Sequence, residues 1–361
     1  GLPRGSALGP AGMENLRALF DAMDASDVDR LDQAFEVRFD IEMDVEGTAS
    51  WDKASIGRAW GILAQLPPGA VADNHELDAL IHDTAGSGSG YYTPSGDKAV
   101  MGFNEANLNQ TGSYGGPLHG NVITFDAVLR HEIGHAVDAR IGAGKPGGYA
   151  FVAPNAGRWV QYEDAEAFVD AIITAAGGDS SLSADAAEQD AYKRALHKAV
   201  DDESTFSVAL QALKDQIFFS VDDAIPDPGD SGGAISALFN TNRWASGTSP
   251  WYNNAWRSVG GRNFHRAYNR NSYYSFEIAA RNANRVSDYQ WRAPGEWFAE
   301  AYTAYYGDHD TGAAPGTTLA TVDPITKAWF DQNVDQNYSI AQQTGQTREA
   351  AGTASSVATG P

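Results

Sequence analysis

Two histidines and a glutamate lie close together in the stretch His131-Glu132-Ile133-Gly134-His135. If this stretch is helical, His131 and His135 lie on one face, with Cβ atoms about 5–6 Å apart. Two imidazoles so placed can bind one Zn²⁺, each at about 2.0–2.1 Å. Glu132 would then lie beside the metal and could serve as the general base toward a metal-bound water. The spacing predicts a catalytic zinc site on a single helix.

The flanking residues predict the elements that position this stretch. Residues 121–125 read Asn-Val-Ile-Thr-Phe, mostly apolar or β-branched, which predicts a short strand. Asp126 is the candidate N-cap of a helix that starts at Ala127, continues to about Ile141 and ends at Gly142.

A catalytic zinc takes three protein ligands and keeps one position open. Positions 138 and 141 are Asp and Ile, so the three-histidine pattern of metzincins is absent. The third ligand is therefore expected to be a carboxylate from a later helix.

Two later segments offer such a carboxylate. Glu166 opens a Glu-x-x-x-Asp pattern that ends at Asp170 and begins 31 residues after His135. Glu296 opens a Glu-x-x-x-Glu pattern that ends at Glu300 and begins 161 residues after His135. Each acid can equally be a first-turn residue that interacts with its helix dipole.

Two motifs together carry a resemblance to a known family. Residues 131–138 read His-Glu-Ile-Gly-His-Ala-Val-Asp, and residues 296–301 read Glu-Trp-Phe-Ala-Glu-Ala. Tyr289 lies seven residues before Glu296. This combination resembles the zincin metallopeptidases represented by the catalytic domain of anthrax lethal factor and by the Pro-Pro endopeptidases.

The resemblance implies a role for each matching residue. The ligands of one Zn²⁺ would be His131, His135 and Glu296. Glu132 would be the general base, and Tyr289 would donate a hydrogen bond to the developing oxyanion. Asp138 and Glu300 would orient the ligating imidazoles. The gap between the two motifs is longer than in those relatives, so Glu166 stays an alternative third ligand.

The predicted fold is α+β and zincin-like, mostly helical, with a small mixed sheet and a large helical and aromatic insertion. Helices are expected over residues 13–35, 54–66, 75–81, 163–176, 184–200 and 206–219, and from about 294 and 323 onward. The predicted division is an added linker over 1–12, an N-terminal lobe over 13–142, the insertion over 143–286, a C-terminal lobe over 287–340 and a flexible tail over 341–361.

A β-hairpin is predicted over residues 91–103, because residues 94–97 read Pro-Ser-Gly-Asp, a sequence typical of turns. Zinc peptidases of this architecture bind substrate along an edge strand, and this hairpin is the candidate edge. The candidate substrate-binding residues are Tyr91, Tyr92, Val100 and Gly102. An ordinary covered hairpin is the alternative.

The amino-acid composition limits the kinds of site and of binding partner that this protein can have. The 361 residues include no cysteine and carry a formal net charge of −22. The lack of thiols excludes disulfide scaffolds, thiolate zinc fingers and cysteine proteases, and the acidic balance argues against nucleic-acid binding. Residues 243–292 depart from this balance, with eight arginines, two acids and many aromatics. That segment can recognise acidic peptides or dock on the chain's own acidic surface.

The sequence therefore predicts a zinc-dependent endopeptidase that binds one Zn²⁺ and acts on a protein or peptide. A toxin-type effector that is secreted or delivered is expected by analogy alone. The sequence shows no signal peptide and no run long enough to span a membrane. The alternatives are a non-catalytic zinc-binding interaction module and a zinc hydrolase of a non-peptide amide or ester.

Overall fold

The structure of the chain is a computed structural model. The residues that it describes are 5–72, 74–83, 89–93, 98–102, 111–113, 121–142, 159–175, 177–178, 185–187, 189–190, 193, 258–259, 261–267, 272–287, 289–291 and 293–335. The chain divides into two compact units. The first unit comprises Gly1–Ala143, Arg285–Gln290 and Gly295–Pro361, and the second comprises Gly144–Asn284 and Trp291–Pro294.

Helices and small sheets are mixed along the described residues, which confirms the predicted α+β class. The helices are α1 (Gly9–Ala22), α2 (Val28–Phe39), α3 (Lys53–Leu63), α4 (Thr124–Gly142), α5 (Ala165–Ala175), α6 (Ile278–Asn284), α7 (Pro294–Gly307), α8 (Thr317–Val322) and α9 (Pro324–Phe330). The strands are β1 (Glu42–Glu46), β2 (Ala79–Asp83), β3 (Ser89–Thr93), β4 (Lys98–Gly102), β5 (Thr111–Ser113), β6 (Asn121–Ile123), β7 (Val160–Tyr162), β8 (Ser258–Val259), β9 (Arg262–Ala267) and β10 (Ser272–Glu277). No described helix is both long and apolar enough to cross a membrane.

The first unit contains a small mixed sheet in the order β1-β2-β4-β3. Strands β1, β2 and β4 are parallel, and β3 pairs antiparallel with β4, as predicted for the two strands of the hairpin. Among the described residues β3 is therefore an outermost strand, whereas β4 has a partner on each side. The predicted turn, residues 94–97, lies outside the described residues.

The helix predicted over residues 75–81 is wrong, because residues 79–83 form β2. Leu80 and Ile81 are both buried, although they point to opposite faces of the sheet. A strand buried on both faces reads as a continuous apolar run, which periodicity alone does not separate from a buried helix.

The helix predicted over residues 13–35 is two helices, α1 and α2. The break follows from Asp24, whose carboxylate accepts hydrogen bonds from the backbone N–H and the hydroxyl of Ser26. Across the break, Phe20 and Phe39 pack on Trp60 of α3, with ring centroids 4.9 and 5.3 Å from the indole. These buried rings form the core beneath the amino-terminal helices.

Two arginine–aspartate pairs tie α4 to its surroundings. Arg58 of α3 donates two hydrogen bonds, of 2.7 and 2.6 Å, to Asp126 in the first turn of α4. Arg130, only 2 % exposed, donates two of 2.7 and 2.5 Å to Asp310. Such bidentate pairs fix geometry as well as adding energy. The predicted capping role of Asp126 is wrong, since α4 begins at Thr124.

The second unit contains an antiparallel sheet in the order β7-β10-β9-β8, together with α5 and α6. This part of the chain was predicted to be helical, so the sheet was missed. Its strands are rich in buried aromatics, including Tyr273, Tyr274 and Phe276 on β10. Several predicted features lie outside the described residues: the helix over 206–219, the arginine-rich residues 243–257, the flexible tail over 341–361 and most of the helix over 184–200. The predicted division of the chain into five segments stays a prediction.

Candidate metal centre

The two histidines of α4 lie side by side at the centre of the candidate site. The ring centroids of His131 and His135 are 4.8 Å apart, with ring planes at 83°. His131 is buried, and His135 is partly exposed. This arrangement follows from the four-residue spacing, which places the two side chains on one face of the helix.

Glu296 approaches both histidines from the first turn of α7. Its Oε2 atom lies 3.1 Å from His131 Nε2 and 3.4 Å from His135 Nε2. One ligand atom from each residue can be chosen so that all three lie within 4.8 Å of one another. Burial alone would raise the pKa of Glu296, but its hydrogen bonds with the two histidines hold that pKa well below its usual range. Together the three residues could bind a metal ion.

Glu300 lies one turn further along α7 and reaches the other nitrogen of the first histidine. Its Oε1 atom is 2.8 Å from His131 Nδ1, and the Glu300 side chain is completely buried. Burial alone would lower the pKa of His131, but the hydrogen bonds to Glu296 and Glu300 raise it well above its usual value. The two carboxylates thus fix the His131 ring with Nε2 toward the candidate metal position. This contact fits the orienting role predicted for Glu300.

Tyr289 contacts the other oxygen of the same carboxylate. Its hydroxyl donates a 3.2 Å hydrogen bond to Glu296 Oε1, and its ring centroid lies 5.8 Å from that of His131. The bond to Oε1 leaves Oε2 turned toward the histidines. A role toward a substrate oxyanion stays a prediction, but the side chain does lie next to the site.

Glu132 is 3 % exposed and lies on α4 next to the first histidine. Its Oε2 atom is buried and has no hydrogen-bond partner among the described residues. Burial raises the pKa of the Glu132 carboxyl above its usual value, an effect that the two nearby histidines oppose. An unsatisfied buried carboxylate oxygen is costly, so this atom is suited to accept a proton or a hydrogen bond from a molecule that enters the site.

Asp138 lies on α4 and is 3 % exposed; its predicted orienting role stays a prediction. Glu166, the alternative third ligand, is exposed in the first turn of α5, in the second unit. The metal-capable group found among the described residues contains Glu296 and not Glu166.

The four candidate substrate-binding residues lie on two strands, two on β3 and two on β4. Val100 and Gly102 lie on β4, whose backbone is paired on one side with β2 and on the other with β3. An added peptide strand could therefore not pair with the backbone of these two residues, whereas their predicted role in substrate binding stays a prediction. Tyr91 on β3 is 52 % exposed. Tyr92, also on β3, donates its hydroxyl to the Glu76 carbonyl at 2.8 Å.

Sequence reasoning missed residues that hold the site without joining its chemistry. Arg130 directly precedes His131, yet its partner Asp310 lies 180 residues away, and no local pattern connects them. Gly134 was read only as a position inside the motif. Glycine in a helix interior costs about 0.5–1 kcal/mol relative to alanine, so its presence there was a signal of close packing.

Comparisons with protein-family models, curated proteins and solved structures find no match to this chain. The assignment of a function therefore depends on the site itself.

Proposed function

We propose that the chain is a zinc-dependent endopeptidase with a zincin-like fold. One observation carries the proposal: Nε2 of His131 and Nε2 of His135 both approach Glu296 Oε2, and the unpartnered, buried Glu132 Oε2 lies on the same helix. Two nitrogens and one carboxylate oxygen are a ligand set that zinc takes in catalytic sites. The absence of cysteine from the chain is consistent with such a set.

In this proposal His131, His135 and Glu296 hold the ion. Zinc bound there would act as a Lewis acid that lowers the pKa of water and polarises a carbonyl. Glu132 accepts the proton of the attacking water and delivers it to the leaving amine. Because its Oε2 atom has no hydrogen-bond partner among the residues that the structure describes, that oxygen is available for both transfers.

Two further contacts orient the proposed metal ligands, one between Glu300 and His131 and one between Tyr289 and Glu296. Glu300 Oε1 lies 2.8 Å from His131 Nδ1, so in this proposal it would accept the Nδ1 proton and favour the tautomer that leaves Nε2 for the metal. Tyr289 occupies Glu296 Oε1 and so favours metal contact through Oε2. The Tyr289 hydroxyl has one proton to donate, so in the predicted oxyanion role it would leave Glu296 Oε1 and donate to the oxyanion when substrate is bound.

Peptide is the proposed substrate because an outermost strand lies in the same unit as the site. Strand β3 has β4 on one side, and on its other side no strand pairs with it among the described residues. An extended peptide could add to that edge through main-chain hydrogen bonds. A non-catalytic zinc module would not need Glu132 as a base, so the unsatisfied carboxylate favours an enzyme.

The proposal is tested by incubating the zinc-loaded protein with a mixture of unstructured peptides and sequencing the new termini by mass spectrometry. We expect cleavage that a chelator abolishes and added zinc restores. Hydrolysis of small esters or amides without peptide cleavage would indicate the non-peptide hydrolase instead. Zinc binding without hydrolysis of either substrate class would indicate the interaction module.

A further inference from the structure

The ring of Tyr92 lies against the second metal-ligand histidine. The centroids of the Tyr92 and His135 rings are 6.4 Å apart, and their planes are inclined by only 18°. Offset-stacked aromatic pairs have centroid separations of about 4.5–7 Å. The contact therefore restricts how the His135 imidazole can turn.

Tyr92 is itself held at two points. Its backbone is part of the β3–β4 ladder, in which it is paired with Ala99. Its hydroxyl donates to the Glu76 carbonyl at 2.8 Å. Because its backbone and its hydroxyl are both held, the Tyr92 side chain has little rotamer freedom left. It can therefore keep a neighbouring ring in one orientation at a small entropic cost.

The two ligand histidines differ in what orients them. His131 is held through Nδ1 by Glu300. The described residues beside His135 include Glu296, the ring of His131 and the ring of Tyr92. The stacked ring can thus limit the rotation of His135, whereas a polar contact at Nδ1 limits the rotation of His131.

From this asymmetry we infer that Tyr92 is a positioning residue for His135 rather than a substrate-binding residue. The inference rests on the proposed metal site. It links β3, the strand to which a peptide would add, directly to a metal ligand. Tyr91, the next residue along β3, points to the opposite face of the sheet and is 52 % exposed.

Cobalt(II) absorption in the intact protein tests the inference, because the visible bands of Co²⁺ report ligand geometry without any need for activity. Tyr92→Leu removes the ring, Tyr92→Phe keeps the ring and loses the hydroxyl, and Tyr91→Leu is the matched control on the same strand. We expect Tyr92→Leu to shift the Co²⁺ bands and weaken zinc binding about ten- to a hundredfold, as loss of an outer partner does in other zinc sites. Tyr91→Leu should keep the parent spectrum and bind zinc within about threefold of the parent. Tyr92→Phe keeps the ring but loses its anchor on the Glu76 carbonyl, so it should shift the same bands by less than Tyr92→Leu does.

The outcomes separate the two proposals. A parent protein that binds neither Co²⁺ nor zinc would overturn the metal site, and this inference with it. A parent that binds metal, together with a Tyr92→Leu variant of the same spectrum and affinity, would overturn only the role of Tyr92. If Tyr92→Leu does not fold, Tyr92→Phe decides: a shift of the Co²⁺ bands that Tyr91→Leu does not show supports positioning by the anchored ring, and a spectrum identical to the parent's contradicts it.

Discussion

Gly134 on α4 lies directly against Ala299 on α7. A Cβ atom added at Gly134 would stand 2.9 Å from Ala299 Cα and 3.2 Å from Tyr302 Cβ. Gly134 lies between the residues of the His-Glu-x-x-His motif, and Ala299 lies between Glu296 and Glu300. This close contact between the two helices thus lies where α7 presents its carboxylates to the histidines.

Replacing Gly134 by alanine should therefore push α7 away from the histidines. Because the contacted atom is backbone, a side-chain rotation cannot relieve the clash. We expect Gly134→Ala to lower the free energy of unfolding by about 1–3 kcal/mol and to weaken zinc binding at least about tenfold, as measured by urea denaturation and zinc titration.

Gly307→Ala is the matched control, since Gly307 ends the same helix α7 and an added Cβ there has nothing within 4 Å. Its stability should stay within about 1 kcal/mol of the parent and its zinc affinity should not change. Equal zinc affinity in Gly134→Ala and Gly307→Ala would mean that the close packing of α4 on α7 does not determine the position of Glu296 at the metal site.

Glu296 and Glu166 were both candidate third ligands, and they can be separated by isosteric change. Glu296→Gln removes the charge beside both histidines and should weaken zinc binding by at least about a hundredfold. Glu166→Gln alters an exposed acid on α5 and should leave zinc affinity at the parent value. Competition with a fluorescent chelator measures both. The opposite ranking would move the third ligand to the second unit.

Zinc binding should release protons, because the metal replaces a proton on a ligand. In the metal-free protein the pKa of His131 is well above its usual value of about 6.5, so this ring is still charged near pH 7. Calorimetry in buffers of different ionisation enthalpy should therefore give about one proton released per zinc at pH 7. Zinc affinity should fall as the pH is lowered. No proton release at pH 7 would show that the His131 pKa is not raised.

The same charged contact affects the stability of the metal-free protein. The pKa of His131 is higher in the folded protein than in the unfolded chain. The charged ring therefore adds to the free energy of unfolding in full below about pH 6.5, and this contribution is lost as the pH rises through the folded-state pKa of His131. Added zinc should restore stability in that higher range, because it binds the folded state.

Asp32 on α2 offers a separate test, far in sequence from the motif. Burial, followed by the nearby Glu36 and other acids, raises the pKa of Asp32 to about 6. The ionised form therefore destabilises the fold above pH 6, and this penalty disappears as the pH falls through that value toward the usual pKa of 3.8.

Asp32→Asn should accordingly stabilise the protein by about 1 kcal/mol at pH 7.5, after allowance for solvent screening, and by close to nothing at pH 4. Urea denaturation at both pH values measures the difference. Glu14→Gln, a change of an exposed acid on α1, should have little effect at either pH. A stabilisation by Asp32→Asn that is the same at both pH values would not come from titration of this carboxyl.

Local spacing was sufficient to predict part of the site. His131, Glu132 and His135 lie within five residues on one helix, so helical geometry fixes their relation without knowledge of the fold. Glu296 could be selected only through the resemblance, since 161 residues separate it from His135. The structure places the candidate ligands His131, His135 and Glu296 together. That the site binds zinc and that it is catalytic remain proposals.

The parts that sequence reasoning missed depend on contacts between distant elements. Strand β2 is buried on both faces and shows no alternation that would distinguish it from a helix. The β7–β10 sheet joins residues on either side of a stretch of about 95 residues, and its aromatic strands gave no clear period. The partner of Tyr92 was also beyond reach, because nothing in residues 89–93 indicates that its ring meets His135.

The most direct test of the account compares the parent with Glu132→Gln, both loaded with zinc, for metal content and for peptide cleavage. The substitution keeps the shape of the side chain and removes only its basicity. We predict about one zinc per chain in both proteins and cleavage by the parent alone, with the rate of the variant lowered at least about a hundredfold. A parent without bound zinc, or a variant that cleaves peptides as fast as the parent, would contradict the proposed zinc endopeptidase.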